Sequence, residues 1–185
     1  MKSKHFFPTA TLLCFVATAM FFTACQPQAA VNPDAANEAL MQSISEMELD
    51  LWNNGNMAQL EHIYTADFTR TDPFGTVKGA EAFKANYDNI KKTYPDLKVS
   101  FKDSWVKGDK MTVLWHVDAT HSGPFGEGMP ATGKPISVDG VDIFELKDGK
   151  VANQWVFFDQ ASVFAQTGYT IHPPVTAAAA PTPTK

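Results

Sequence analysis

From Leu97 to Phe158 the chain reads as four extended stretches folded back on one another, and that run restricts the available folds more than any other feature. Leu97, Val99 and Phe101 alternate with Lys98, Ser100 and Lys102, and Met111, Val113, Trp115 and Val117 keep the same two-residue period. Ile136 to Leu146 and Val151 to Phe158 supply two more stretches. Gly108-Asp109 and Asp148-Gly149 are tight-turn dipeptides, so the strands they join are antiparallel neighbours. A loop rich in glycine and proline runs from Ser122 to Pro135.

Helices come first. Asn32-Pro33-Asp34 combines a capping side chain, a proline at the first helical position and an acid in the first turn. Leu40, Ile44, Met47 and Leu51 then fall on one helical stripe, which Asn54-Gly55 ends. Asn56 is placed to cap a short second helix reaching Tyr64, with Gln59 at the capping-box position. Asp67 to Pro73 reads as a short extended piece, and Phe83, Tyr87, Ile90 and Tyr94 mark a further helix that Pro95 closes. Helices followed by antiparallel hairpins make an α+β plan in which a curved sheet wraps a helix and encloses a pocket. On an unbroken two-residue period, Val151, Asn153, Trp155, Phe157 and Asp159 share the concave face of the last strand. Asp159 then sits among aromatic rings, where apolar surroundings disfavour the charged form and suit a carboxyl that both takes and gives a proton. The competing reading is a helix cap for Gln160 to Phe164.

The ends carry a different message. Residues 1–24 open basic with Lys2 and Lys4, run apolar from Phe6 to Phe22 and lead to Cys25, the pattern of a secretory signal that is too short for a stable span. Cys14 would leave with that segment, and Cys25 would then be a lone exported thiol, for which acylation supplies a cap. Loss of Lys2 and Lys4 with no acid takes the formal charge from −5 to −7, which argues against nucleic acid as a partner. The cysteine at the cleavage point resembles that of bacterial lipoproteins, which implies membrane attachment through a lipid anchor on Cys25 and, from Gln26 after it, the outer membrane; the alternative is an ordinary cleaved signal with an incidental cysteine. Residues 25–36 form a tether, 37–172 one domain, and 173–185 an Ala/Pro/Thr tail.

Within the domain, the run from His62 to Gly168 resembles the SnoaL-like polyketide cyclase (ester cyclase) family of the nuclear-transport-factor-2-like superfamily. The resemblance rests on Ile63 to Phe68, Asp72-Pro73, Tyr94-Pro95-Asp96-Leu97, Gly108 to Met111, Thr120-His121-Ser122-Gly123, Thr132-Gly133-Lys134, Asp148-Gly149-Lys150-Val151, Trp155 with Asp159, and Gln166-Thr167-Gly168. It implies a cone-shaped barrel of a curved antiparallel sheet packed on N-terminal helices, usually dimeric or tetrameric, with a pocket inside the cone. It also implies ring closure by an aldol-type reaction without metal or organic cofactor, the aspartate matching Asp159 serving as acid and base. Thr71 stands where relatives often have histidine, and Glu145 where they have arginine.

Asp159 and His121 are the candidate catalytic residues, His121 sharing the face of Trp115 and Val117 or else anchoring the loop. Tyr64, Arg70 and Asp72 border the pocket if the resemblance holds, and Trp52, Trp155 and Phe157 wall it. His116 and His121 face opposite sides of one strand, so no metal site is expected. The first function expected is proton transfer beside a carbonyl of a small apolar substrate. A non-catalytic binding protein for such a molecule and an assembly module that forms a homodimer are the two alternatives.

Overall fold

The computed structural model describes residues 35–170 and 172. The expected signal segment, Cys25, the expected helix start at Asn32 and the residues from 173 on lie outside the described residues. Helix α1, Ala35–Asn54, buries Ile44, Glu48 and Leu51 along one stripe and ends at Gly55, whose φ of +74° suits a residue without a Cβ. A 3-10 turn at Met57–Gln59 leads into the single-turn α2, Leu60–Ile63. Asn56 does not cap it: its amide donates instead to Asp50 Oδ2 at 2.7 Å, joined there by Gln59 at 2.8 Å. Helix α3, Gly79–Thr93, buries Phe83 and Tyr87 and stops short of Pro95.

The strands are β1 (Tyr64–Asp72), β2 (Gly75–Lys78), β3 (Lys98–Lys107), β4 (Lys110–Thr120), β5 (Pro135–Lys147) and β6 (Lys150–Phe158), followed by α4, Gln160–Thr167. They form one six-stranded sheet in the order β2-β1-β6-β5-β4-β3. All neighbours are antiparallel except β1 and β6, which run parallel, a pairing the hairpin pattern did not foretell. Register shifts interrupt β1/β6, β3/β4 and β5/β6. Such bulges add bend and twist, and the open sheet curves around α1 and α3 as the cone of the expected α+β fold.

The β5/β6 bulge changes which residues face inward. Leu146 pairs with Val151 but Glu145 pairs with Asn153, so one extra residue of β6 sits between those pairs. Val151 points into the core, and beyond the bulge Gln154 and Val156 do so instead of Asn153, Trp155 and Phe157. The expectation that Trp155, Phe157 and Asp159 share the concave face is thereby corrected. Phe157 is 56% exposed on the outer face, and Trp155 lies on that face with it.

Two core clusters result. One gathers Ile44, Leu51, Ile63, Tyr64, Phe68, Phe83, Met111, Phe144 and Val151 beneath α1 and α3. The other gathers Tyr94, Leu97, Trp115, Ile136, Val138, Val156 and Val163 toward α4. Burial of such side chains, at roughly 1.5–3 kcal/mol each, offsets the entropy lost in ordering the chain.

Candidate functional site

Polar side chains from five elements converge where the two clusters meet. Glu48 sits on the buried stripe of α1, one turn from Ile44, and is 2% exposed. Trp52, one turn further along, donates its indole N–H to Glu48 Oε2 at 3.0 Å. Tyr64 on β1 brings its hydroxyl to Glu48 Oε1 and, at 2.8 Å, to Gln154 Oε1. Gln154 on β6 donates through Nε2 to Asp142 Oδ2 at 2.7 Å. The indole of Trp115 on β4 donates to the other oxygen of Asp142 at 2.8 Å. Asp142 is half-buried and lies in the inward register of β5 between Gly140 and Phe144. Gly140 makes this possible: a Cβ there would meet the Trp115 ring at 2.1 Å, so only glycine lets that indole lie across the strand to reach Asp142.

Arg70 and Asp72, two residues apart on β1, point to the same side. Arg70 is 7% exposed, donates to Asp72 Oδ2 at 2.5 Å and holds its guanidinium carbon 5.7 Å from the centre of the Trp52 ring. Its Nε is buried with no partner among the described residues. Asp72 also accepts from the backbone N–H of Phe74 at 2.8 Å, the turn-initiating bond expected before Pro73-Phe74.

The charges decide the chemistry. Three carboxyl groups and one guanidinium share a region with little water, and Asp72 takes the guanidinium as a close partner. Burial pushes Glu48 up to about 7, with Asp142 adding to the rise while Tyr64, Arg70 and Trp52 oppose it. Burial likewise pushes Asp142 up to about 6, against the pull of Arg70, Trp115 and Gln154. Two carboxyl groups whose charged forms burial disfavours therefore lie beside a cation with an unused donor. Aromatic rings lead outward from it: Phe158 lies 6.1 Å from Trp115, and the 62% exposed Phe74 lies 6.1 Å from Phe158. A separate groove of about 580 Å³ between α2, β1 and α3 is lined by Met57, Leu60, Phe68, Lys84 and Lys150 and meets this network only at Tyr64.

Trp52, Tyr64, Arg70 and Asp72 are thus brought together, whereas Trp155, Phe157, Asp159 and His121 lie elsewhere. Asp159 is exposed and caps α4, accepting from the Ser162 N–H at 3.0 Å. His121 is fully buried in the second cluster, stacked on Phe125 with ring centres 4.1 Å apart. Its Nδ1 accepts from the Thr132 N–H at 3.3 Å, and its own backbone bonds Lys134 and Gly133, so it fastens the two ends of the loop together. Sequence reasoning missed Glu48, Asp142, Gln154 and Trp115 as a group. Two had a readable signal: Glu48 falls on the stripe of Ile44 and Leu51, and Asp142 is an acid within the inward alternation of Val138, Gly140 and Phe144.

Glu145 pairs with Lys110 and accepts from Asn153 at 2.6 Å on the outer face. Thr71 likewise turns outward and shares a hydrogen bond with Thr76 at 2.9 Å.

Comparison with known proteins gives this arrangement a family. The model of the SnoaL-like polyketide cyclase family matches residues 42–167. Among solved structures, TsrD from Streptomyces laurentii is 29% identical with a TM-score of 0.65, over 71% of this chain and 97% of that one. A protein from Jannaschia sp. CCS1 described as a SnoaL-like polyketide cyclase is 26% identical with a TM-score of 0.60, over 72% of this chain and 94% of that one. A search of curated proteins found no match. With most of its folded region matched and its cone intact, the chain belongs to the SnoaL-like polyketide cyclase family.

Proposed function

We propose that the protein is a cyclase- or isomerase-type enzyme that moves a proton beside a carbonyl of a small, largely apolar substrate, with Asp142 as the proton carrier. The observation that carries this reading is the half-buried Asp142 carboxyl, raised to about 6 and held at both oxygens by Trp115 and Gln154. A base of that strength is ionised at neutral pH yet accepts a carbon-bound proton more readily than an exposed aspartate does. Arg70 supplies the complementary charge. Its unpartnered Nε–H is a donor for the oxygen on which negative charge develops as the α-proton leaves. Asp142 then returns the proton to that oxygen or to a neighbouring carbon. In a ring closure, the enolate carbon attacks a second carbonyl of the same molecule before the proton returns. Family membership supports the reaction class, and the aromatic rings of Trp115, Phe158 and Phe74 support the apolar character of the substrate.

The exposed Asp159 lies outside this network, so the acid–base role is given to Asp142. Export and a lipid anchor at Cys25 belong to the same proposal, which puts the enzyme at a membrane surface.

Deuterium wash-in from heavy water at the enolisable carbons of a panel of aryl ketones, followed by proton NMR, tests the reading. Asp142→Asn is expected to lower the rate by about a hundredfold or more. An Asp142→Asn protein that exchanges as fast as wild type would refute the assignment. A loss confined to Asp159→Asn would return the role to that residue.

A further inference from the structure

Donor counting around Tyr64 assigns a role to the second buried carboxyl group. The Tyr64 hydroxyl has one proton and touches two oxygens, Glu48 Oε1 and Gln154 Oε1. Gln154 settles which of them receives it. The far end of its amide lies 2.7 Å from Asp142 Oδ2, and an ionised carboxylate only accepts, so the NH2 group must face Asp142. The carbonyl of Gln154 therefore faces Tyr64 and accepts its proton. The remaining contact, between the Tyr64 oxygen and Glu48 Oε1, then needs a proton from Glu48. The other oxygen of Glu48 already accepts from the Trp52 indole at 3.0 Å, which leaves Oε1 to carry that proton.

We infer that Glu48 is a positioning residue, held as the neutral acid, whose O–H donates to Tyr64 and so turns the Gln154 amide toward Asp142. This rests on the reading of Asp142 as the proton carrier. Every donor and acceptor in the chain Glu48–Tyr64–Gln154–Asp142 is satisfied in one direction only. If Glu48 ionises, it accepts the Tyr64 hydrogen bond, and the buried carbonyl of Gln154 loses its donor. Asp142 then faces a second negative charge and a less firmly held amide, both of which make it more basic.

The surroundings agree with a neutral Glu48. On its own helix it meets the Trp52 indole. From β1 it meets Tyr64, kept in its neutral form by burial, and Arg70, whose charge favours ionisation but is shared with Asp72. From β5 it meets Asp142, which opposes ionisation. Tyr87 of α3 packs on Trp52 at 5.3 Å between ring centres and adds no charge.

Carboxyl-carbon NMR titration of the folded protein tests this without any substrate, comparing wild type with Glu48→Gln and Tyr64→Phe. In wild type, Glu48 should titrate near neutrality, and the Asp142 resonance should show its own inflection plus a second at the Glu48 midpoint. Glu48→Gln keeps a donor toward Tyr64 at every pH, so Asp142 should keep the first inflection and lose the second. Tyr64→Phe should leave Glu48 titrating but shrink the second inflection at Asp142. Titration of wild-type Glu48 in the ordinary carboxylate range, or an Asp142 curve identical in all three proteins, would overturn the assignment. In the deuterium wash-in, the wild-type pH profile should carry a step at the Glu48 midpoint that Glu48→Gln lacks. Carbon titrations that behave as stated, with no wash-in in any protein, would uphold the hydrogen-bond chain and sink the acid–base reading instead.

Discussion

Glu48 and Asp142 keep protons in the folded protein that an unfolded chain releases, so stability depends on pH through these two side chains. The ordinary value for Glu48 is 4.5 and the folded value about 7, and for Asp142 the pair is 3.8 and about 6. Between each pair of values the folded state binds more protons, and stability falls as pH rises. Below the lower values the full contribution is present, and above about 7 it is gone. His121 works in the opposite sense, because burial holds it below its ordinary 6.5 and stability is lost as pH falls beneath that value. At about 1.4 kcal/mol per unit, Glu48 alone is worth on the order of 3 kcal/mol between the two limits. Urea midpoints measured from pH 5 to pH 8 should therefore decline for wild type and stay much flatter for Glu48→Gln. A midpoint that changes with pH in Glu48→Gln just as it does in wild type would show that Glu48 is not protonated in the fold.

At the scale of elements, β6 and α4 exchange the roles that their sequence suggests. The run Trp155, Phe157, Asp159 obeys the two-residue period faithfully, and extending that period from Val151 puts all three on the concave face. A single inserted residue between Val151 and Asn153 inverts every face beyond it, and nothing in Val-Ala-Asn-Gln marks where the insertion falls. The hairpins, the stripe of α1 and the α+β order were legible because they rest on local turn chemistry and on periods that no bulge interrupts. The site was legible only in part: the family resemblance points to Tyr64, Arg70 and Asp72, whereas Gln154 lies beyond the bulge in β6. Glu48 was harder to place for another reason: it falls on the apolar stripe, but its partner Tyr64, 16 residues away, is brought to it only by the fold. Asp159 is then accounted for by α4. Its side chain bonds the Ser162 N–H, and Gln166 ties the same helix to β5 by accepting from the Ser137 N–H at 2.8 Å. Asp159→Ala should cost about 1 kcal/mol, the usual worth of a helix cap, and lower Tm by a few degrees. Unchanged thermal unfolding would mean that the cap contributes nothing and that another duty keeps the aspartate there.

The residues that β6 turns outward bear on the whole molecule. Strand pairing sets Trp105, Thr112, Ile143 and Trp155 side by side in one row across β3, β4, β5 and β6, and Leu114, Val141 and Phe157 in the next. Trp105 is 53% exposed and Phe157 56%, which is costly for large apolar side chains that nothing covers. Charged pairs bound the strip on both sides: Lys110 with Glu145 beyond the first row, and His116 with Asp139 and Lys102 beyond the second. An apolar centre with a paired, charged rim is the anatomy of a protein interface. An outer sheet face can meet its own copy about a two-fold axis, where each row packs against the equivalent row of its partner. The expected state is therefore a homodimer formed through this face, leaving the Asp142 network inside each cone untouched. Sedimentation velocity of the domain without residues 1–25 should give a dimer at micromolar concentration. Trp105→Glu combined with Phe157→Glu should give a monomer with the wild-type circular dichroism spectrum, because both side chains point away from the core. A wild-type monomer at tens of micromolar would leave the strip without a self-partner, and a dimer that survives both substitutions would place its interface on another face.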